Sequence, residues 1–337
     1  MSADKNAGKH ANLSIFVPHI GCPHKCSFCN QNTITGQTFI PHAKDVIETC
    51  EKALSDGVDK GNTEIAFFGG SFTAIPRSYM LELLEPAKKY VDMGFKGIRL
   101  STRPDAIDEE ILSILKSYGV TTIELGAQSM FDDVLALNER GHTASDVENA
   151  SNLIKQHGFT LGLQMMLGLY GSTIEKDYET ALKIADLKPS EVRIYPTVVL
   201  KDTELGRLYS EGKYRTYELS DAVELSAKLL DLFEDRGITV IKLGLHSSTD
   251  VENSMLGGIY HPAFRELCAG VRARNMMESF IRDEKQAELV YAFTVRPDYL
   301  SKALGHKKSN IEYFRSKGID IAVRIDPSQT EKLLPAR

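Results

Sequence analysis

Leu13-Ser-Ile-Phe-Val17 runs through Pro18-His-Ile-Gly into Cys22-Pro-His-Lys-Cys26-Ser-Phe-Cys29. The first segment is apolar and β-prone, so it predicts a strand that delivers a cysteine loop at its C-terminal end. Three thiolates in a Cys-x3-Cys-x2-Cys run can hold three corners of an iron–sulfur cube. A [4Fe–4S] cluster is ordinarily closed by four cysteines. Three leave one iron open to a substrate or cofactor, which makes the site chemical rather than structural. A zinc site built from the same cysteines and His24 is the alternative. His24 lies inside the three-residue gap, however, whereas zinc ligands usually come as two separated pairs. Five cysteines and no secretory segment argue against disulfides.

The same spacing, with the aromatic Phe28 just before the last cysteine, resembles the radical S-adenosylmethionine (radical SAM) enzymes. The resemblance implies that the open iron chelates the amino and carboxylate groups of the methionine moiety. It further implies that the reduced cluster cleaves SAM to methionine and a 5′-deoxyadenosyl radical.

A chain of 337 residues accommodates one large α/β domain with an extension, or two domains. Its composition, 42% hydrophobic and 26% charged, is that of an ordinary soluble protein. No apolar run approaches the ~18 residues of a membrane span, and the polar start, residues 1–12, lacks the apolar core of a signal peptide. A cytoplasmic location is expected, and Cys50 and Cys268 are read as buried small hydrophobes. The net charge of −6 disfavours whole-molecule attraction to nucleic acid. Lys302, His306, Lys307, Lys308, Arg315 and Lys317 nevertheless cluster near the end, either as a local basic patch or as a solvated helix face.

Strand-like runs are expected over 13–17, 64–68, 97–101, 121–125, 160–167 and 192–199. Helical runs are expected over 42–54, 77–93, 108–118, 145–157, 174–187 and 218–236. Six such units in about 200 residues mean parallel pairing with right-handed crossovers. They fit a partial (β/α)6 TIM-like barrel better than a full barrel of ~250 residues. The domain reading is a tail over 1–12, the partial barrel over 13–236 and a small α/β extension or cap over 237–337. In a barrel the loops at the strand C-termini build the site, and every further motif lies at such an end.

Phe67-Phe68-Gly69-Gly70-Ser71-Phe72 follows the second strand. Its glycines let backbone approach a ligand, and Ser71 adds a hydroxyl. By resemblance this segment binds the methionine amino group. Ser101 and Thr102 end the third strand, facing ribose or carboxylate. Arg103 beside them is either a bidentate carboxylate fork or a loop cap. Gly126-Ala-Gln128-Ser matches a family Gly-x-Gln-Ser, whose Gln contacts the SAM ribose or methionine; Glu124 reads as a barrel-interior residue. In related enzymes an Arg at the position of Arg140 reaches the SAM carboxylate. His142 reads as a surface residue rather than a proton donor. Gln164 stands where many relatives carry Asp; its amide can bond a ribose hydroxyl but cannot act as a base. Tyr195 is expected to border adenine or substrate, and Met165 to pack the barrel. No catalytic proton donor or acceptor is assigned.

Together the Gly-Gly-Ser-Phe-Thr, Gly-Ala-Gln-Ser, Ile-Tyr-Pro-Thr and Lys-x-Thr-Glu-Leu blocks resemble the radical SAM half of the Elongator catalytic subunit and its bacterial and archaeal relatives. The likeness runs over residues 13–267. The oxygen-independent coproporphyrinogen oxidases are a more distant resemblance. The Elongator subunit also carries an acetyltransferase domain, whereas 70 residues follow Leu267 here, too few for a typical domain of that kind. The expectation is therefore a radical SAM enzyme fed by a one-electron reductant of flavodoxin or ferredoxin type. By family analogy its substrate is tRNA, with an acetyltransferase acting in trans. The alternatives are a small-molecule radical enzyme and a non-catalytic cluster-bearing module.

Overall fold

Strand and helix alternate along the chain, and four of the helix starts carry a side-chain cap. Thr143, Thr173, Thr203 and Asp108 each precede a helix, and each side chain accepts a hydrogen bond from a backbone N–H of the first turn. Such caps satisfy donors that the helix itself leaves orphaned. The computed structural model describes residues 10–18, 26–30, 39–245, 249–283 and 290–336. In chain order they form β1 (Ala11–Val17), α1 (Ala43–Ser55), β2 (Thr63–Gly69), α2 (Arg77–Asp92), β3 (Gly97–Thr102), α3 (Glu109–Ser117) and β4 (Val120–Gln128). Then come α4 (Asp132–Leu137), α5 (Ala144–Gln156), β5 (Thr160–Leu167), α6 (Ile174–Asp186), β6 (Glu191–Pro196), β7 (Val198–Leu200), α7 (Glu204–Ser210), α8 (Leu219–Asp235) and β8 (Thr239–Leu243).

Seven of these strands pair in parallel in the order β1-β2-β3-β4-β5-β6-β8. The sheet curls into a half-barrel with helices on its outer face. Successive strand residues point to opposite faces, and the two faces differ in kind. Ile15, Phe67, Leu100, Leu125, Met165 and Ile194 are buried in one apolar cluster against the helices. Their alternates, among them Ser14, Phe68, Ser101, Gln164 and Arg193, line the concave interior.

The expected six strand–helix units over 13–236 are joined by one further strand. The sheet takes its seventh strand, β8, from beyond that boundary. As an edge strand it is buried at Leu243 and only half-buried at Val240, Ile241 and Lys242, which hides its membership in a sequence pattern. The run over 192–199 also divides. Pro196 has no N–H to continue a ladder, and β7 leaves to pair antiparallel with β9 (Met255–Gly258), which follows α9 (Thr249–Ser254).

The remainder is a small α/β unit. It contains α10 (Phe264–Asp283), β10 (Val290–Val295), α11 (Leu300–Leu304), α12 (Ser309–Ser316), β11 (Asp320–Ile325) and β12 (Leu333–Pro335). β10 is central, parallel to β11 and antiparallel to β12. Met277, Phe293, Val295, Phe314 and Leu333 form its own core. Among the described residues no helix is long and apolar enough to cross a membrane.

Candidate active site

Cys26 and Cys29 sit where β1 delivers them, past the C-terminal end of the half-barrel. Cys22 lies outside the described residues, and among those described no three His, Cys, Asp or Glu side chains gather as a metal site. The loop between the two cysteines is firmly tied. Ser27 donates its hydroxyl to Asn138 Oδ1 at 2.7 Å and its N–H to the Asn138 carbonyl at 3.2 Å. The Ser27 carbonyl accepts from Leu205 N–H at 2.7 Å, and Cys29 N–H closes a turn onto the Cys26 carbonyl at 3.0 Å. Asn138 is fully buried, and its amide donates to the Val134 and Tyr170 carbonyls. The Lys201-Asp-Thr-Glu-Leu205 block thus plays a structural part, because it begins α7 at the spot that pins the cysteine loop.

Arg140 is aimed at the same loop. Its Nη1 donates to Cys26 Sγ at 3.1 Å and its Nη2 to the Gly126 carbonyl at 2.8 Å, while Nε has no hydrogen-bond partner among the described residues. Arg103 ties loops together. Its guanidinium pairs with Asp105 and donates to the Arg140 carbonyl at 2.8 Å. Arg103, Gly70 and the buried Ser71 are not among the residues that line the cavity inside the half-barrel.

The interior of the half-barrel holds a cavity of about 480 Å³, within the usual range for small-ligand sites. Six of the expected residues meet on its wall: Cys29, Gly69, Ser101, Gln128, Gln164 and Tyr195. Phe16, Phe28, Phe68 and Met166 add apolar surface, and Asn12, Arg193 and Lys242 add polar groups. No sequence motif singles out Phe16, Asn12, Arg193 or Lys242. The signal available for them is strand alternation, since each occupies an interior-facing strand position. Tyr195 is half-buried, and burial raises its phenol above the ordinary range.

Two backbone features shape this wall. Gln128 has φ +65° and sits at a register shift between β4 and β5. A bulge of this kind re-aims a side chain. It leaves Gln128 Oε1 buried and without a hydrogen-bond partner among the described residues. An orphaned buried acceptor is costly, so this atom marks a place where a ligand donor would be favoured. Gly69 has φ +112°, and a Cβ there would stand 2.5 Å from the Val17 carbonyl oxygen. Gly69→Ala is expected to destabilise the apo-protein by about 2 kcal/mol and to close the β1–β2 end of the cavity. Thermal melting and a SAM titration check both effects; an alanine protein with unchanged melting would contradict them.

Below the cavity lies a buried charge network. Arg99 reaches Glu64 and Glu124 at 2.8 Å each, and also Glu191. Arg193 pairs with Glu124 through two nitrogens. Gln164 Nε2 donates to Glu124 Oε2 at 2.9 Å and to Ser101 Oγ at 3.3 Å. Glu124 is thus the barrel-interior residue that its alternation predicts, and it orients Gln164 and Arg193 beneath the cavity.

His142 departs from expectation. It is 4% exposed, with Nε2 3.2 Å from the Ala127 carbonyl and Nδ1 without a partner among the described residues. Burial and the neighbouring Arg140 charge push it down to about 4. The unfolded chain takes up this proton near pH 6.5, so stability falls as pH drops below that value toward 4. The ring is expected to stay neutral from about pH 5 to 8. A histidine NMR titration that moved this ring within that window would refute the assignment.

Comparison with known proteins agrees with this architecture. The Radical SAM superfamily model matches residues 16–184, and the Radical_SAM C-terminal domain model matches residues 189–274. The chain is 34% identical over 202 residues to Elongator complex protein 3 of Mus musculus, covering 54% of this chain and 37% of that one. It is 27% identical over 240 residues to a tRNA uridine(34) acetyltransferase of Dehalococcoides mccartyi, covering 61% of this chain and 52% of the relative. The chain therefore spans about half or less of the length of these curated relatives. Among solved structures, the archaeal Methanocaldococcus infernus Elp3 with an N-terminal deletion superimposes with a TM-score of 0.60 at 22% identity, over 81% of this chain and 64% of that one. The half-barrel, its glycine-lined mouth and the cysteine loop are thus found in a chain that belongs to the radical SAM superfamily, with its likeness to the radical SAM region of Elongator complex protein 3 and the tRNA uridine(34) acetyltransferases.

Proposed function

We propose that this chain is a cytoplasmic radical SAM enzyme. Cys22, Cys26 and Cys29 would hold a [4Fe–4S] cluster, and SAM would occupy the interior cavity. The observation that carries the reading is the placement of Cys29 on the wall of a 480 Å³ cavity shared with Gly69, Ser101, Gln128, Gln164 and Tyr195. The residues suit both groups. Soft thiolates suit an iron–sulfur cluster, and the orphaned Gln128 Oε1 offers an acceptor to a ribose hydroxyl or an amino group. When bound, the reduced cluster supplies the electron that splits SAM into methionine and a 5′-deoxyadenosyl radical.

The protein's own residues then position and shield. Asn138 and Leu205 fix the cysteine loop. Arg140 offsets charge at Cys26, with its Nε left for a carboxylate. Gly69 and Gly70 would give backbone access for the methionine end, with Ser71 next in the chain. Gln164, held by Glu124, presents its amide beside Ser101 for ribose hydroxyls. Tyr195 and the phenylalanines cover an adenine and keep water from a radical. Arg103 acts through the loop it ties to Arg140. The names of the relatives point to tRNA as substrate, an associational argument. A one-electron reductant such as a flavodoxin or ferredoxin is required, and an acetyltransferase acting in trans would complete a uridine modification.

The test is anaerobic reconstitution with iron and sulfide, followed by SAM and dithionite, with and without bulk tRNA. 5′-Deoxyadenosine is the expected product, and more of it is expected with tRNA. An intact cluster that yields none under either condition would overturn the enzymatic reading.

A further inference from the structure

A second cleft is larger than the interior cavity. It measures about 1320 Å³ and lies between the lower half-barrel and the segment joining α11 to α12. We propose that this cleft binds the phosphodiester backbone of an RNA substrate and lets a base enter the interior cavity through their common wall. The proposal rests on the radical SAM reading above for the chemistry, and on separate residues for the binding.

Charge is the first argument. Lys242, Arg265, Lys302, Lys307 and Lys308 line the cleft, and among the described residues none of them is paired with a carboxylate. Two carboxylates share the wall. Glu191 is already engaged by Arg99, which leaves Glu266. Five unpaired cations against one free carboxylate stand out in a chain of net charge −6. Unneutralised clefts of one sign focus field and attract the opposite charge. The Lys242 ammonium is held below the usual lysine range by burial and by the Arg193 and Arg265 charges. Of the basic cluster visible in the sequence, Arg315 and Lys317 face Asp320 and Glu278 instead and play no part.

Construction is the second. The lysine segment is built rather than draped. Asn310, 3% exposed, donates to the carbonyls of Gly270, Lys302 and Ala303, which fastens the segment to α10. Gly305, at φ +75°, has no room for a Cβ, which would lie 2.5 Å from Ser309 Oγ. Lys307 and Lys308 then adopt φ +52° and +65° in succession. Left-handed conformations are unusual for lysine, and such outliers persist where surrounding structure enforces them, often at binding sites.

Size and continuity choose the ligand. The cleft exceeds the usual 300–1,000 Å³ of small-molecule pockets, so a free nucleotide or polyphosphate would leave it largely unfilled. It shares Asn12, Arg193, Lys242 and Leu245 with the interior cavity. A backbone held outside can therefore extend one unstacked base inward. Single-stranded loops and splayed bases are how proteins commonly reach RNA bases.

The test uses the full chain and labelled bulk tRNA, titrated between about 50 and 200 mM salt. The variant is Lys302→Gln, Lys307→Asn and Lys308→Asn together, asparagine being tolerant of left-handed φ. The control is Lys44→Gln, Lys52→Gln and Lys155→Gln on α1 and α5. The cleft variant is expected to bind at least ~10-fold more weakly, with the slope of log K against log salt smaller by about 2; the control is expected to match wild type. Equal binding by all three proteins, or no binding by wild type, overturns the proposal. Binding of inorganic tripolyphosphate with the same variant sensitivity, but no tRNA binding, overturns it in favour of a small polyphosphate. 5′-Deoxyadenosine formed without RNA, read on the same three preparations, reports separately on the radical SAM reading.

Discussion

A Cys26→Ala protein is expected to fold, to retain no [4Fe–4S] cluster after anaerobic reconstitution, and to form no 5′-deoxyadenosine above background. Cys26 is nearly buried and its loop is held by groups outside the side chain: Asn138 and Leu205 grip Ser27 through hydrogen bonds that the substitution leaves in place. The fold should therefore survive, at the modest cost of leaving Arg140 Nη1 without the Cys26 sulfur. The chemistry should not. A cluster held by three thiolates has no spare protein ligand, and losing one should cost more than the ~100-fold that mutation of an outer partner alone can remove. Iron and sulfide content, visible absorption and product formation read the two consequences independently. A Cys26→Ala protein that still cleaved SAM would refute the assignment of this thiolate. Loss of folding would show instead that the loop needs the Arg140–Cys26 contact.

How far such a site can be read from sequence depends on whether its parts are neighbours in the chain. The cysteine run is one local segment, and thiolate spacing carries its meaning without a fold. The strand–helix alternation is also local, so the parallel sheet follows from it, and the glycine and glutamine motifs fall at strand ends as expected. The charge network is the opposite case. Glu64, Arg99, Glu124, Glu191 and Arg193 lie on four strands, and each alone reads as a polar residue in an apolar run. Their meeting depends on register, Ser101 opposite Glu124 and Gln164 opposite Arg193, which no spacing rule supplies. His142 misleads for a related reason. A polar Arg-Gly-His turn looks exposed, yet tertiary packing closes over it and leaves a neutral ring against Ala127. The unusual φ of Gln128 arises from a bulge, and a glutamine gives no warning of it.

The network's centre yields the second large effect. Glu124→Leu is expected to destabilise the protein at neutral pH by about 3–5 kcal/mol, the usual cost of breaking a buried ion network by removing one partner. For a chain of this size that is a fall in Tm of roughly 10 °C. Glu124 is 1% exposed and touches Arg99, Arg193 and Gln164. Leucine would leave Arg193 without its carboxylate and Gln164 Nε2 with only Ser101, so weaker SAM binding should accompany the loss of stability. Burial alone would raise the Glu124 carboxyl, but the hydrogen bonds and charges of Arg193 and Arg99 hold it below the ordinary range. The sign of the pH dependence follows. A carboxyl with a depressed folded pKa stabilises above its unfolded value, near about 4.3, and loses that contribution as pH falls through the folded one. The gap in Tm between wild type and Glu124→Leu should therefore be full at pH 7 and narrow below about pH 4. Glu124→Gln, which keeps the shape and part of the hydrogen bonding, should fall between the two. A gap that stayed constant to acid pH would mean that leucine acts by misfit rather than by lost charge. No gap at neutral pH would mean that this buried network orients Gln164 and Arg193 without contributing net stability.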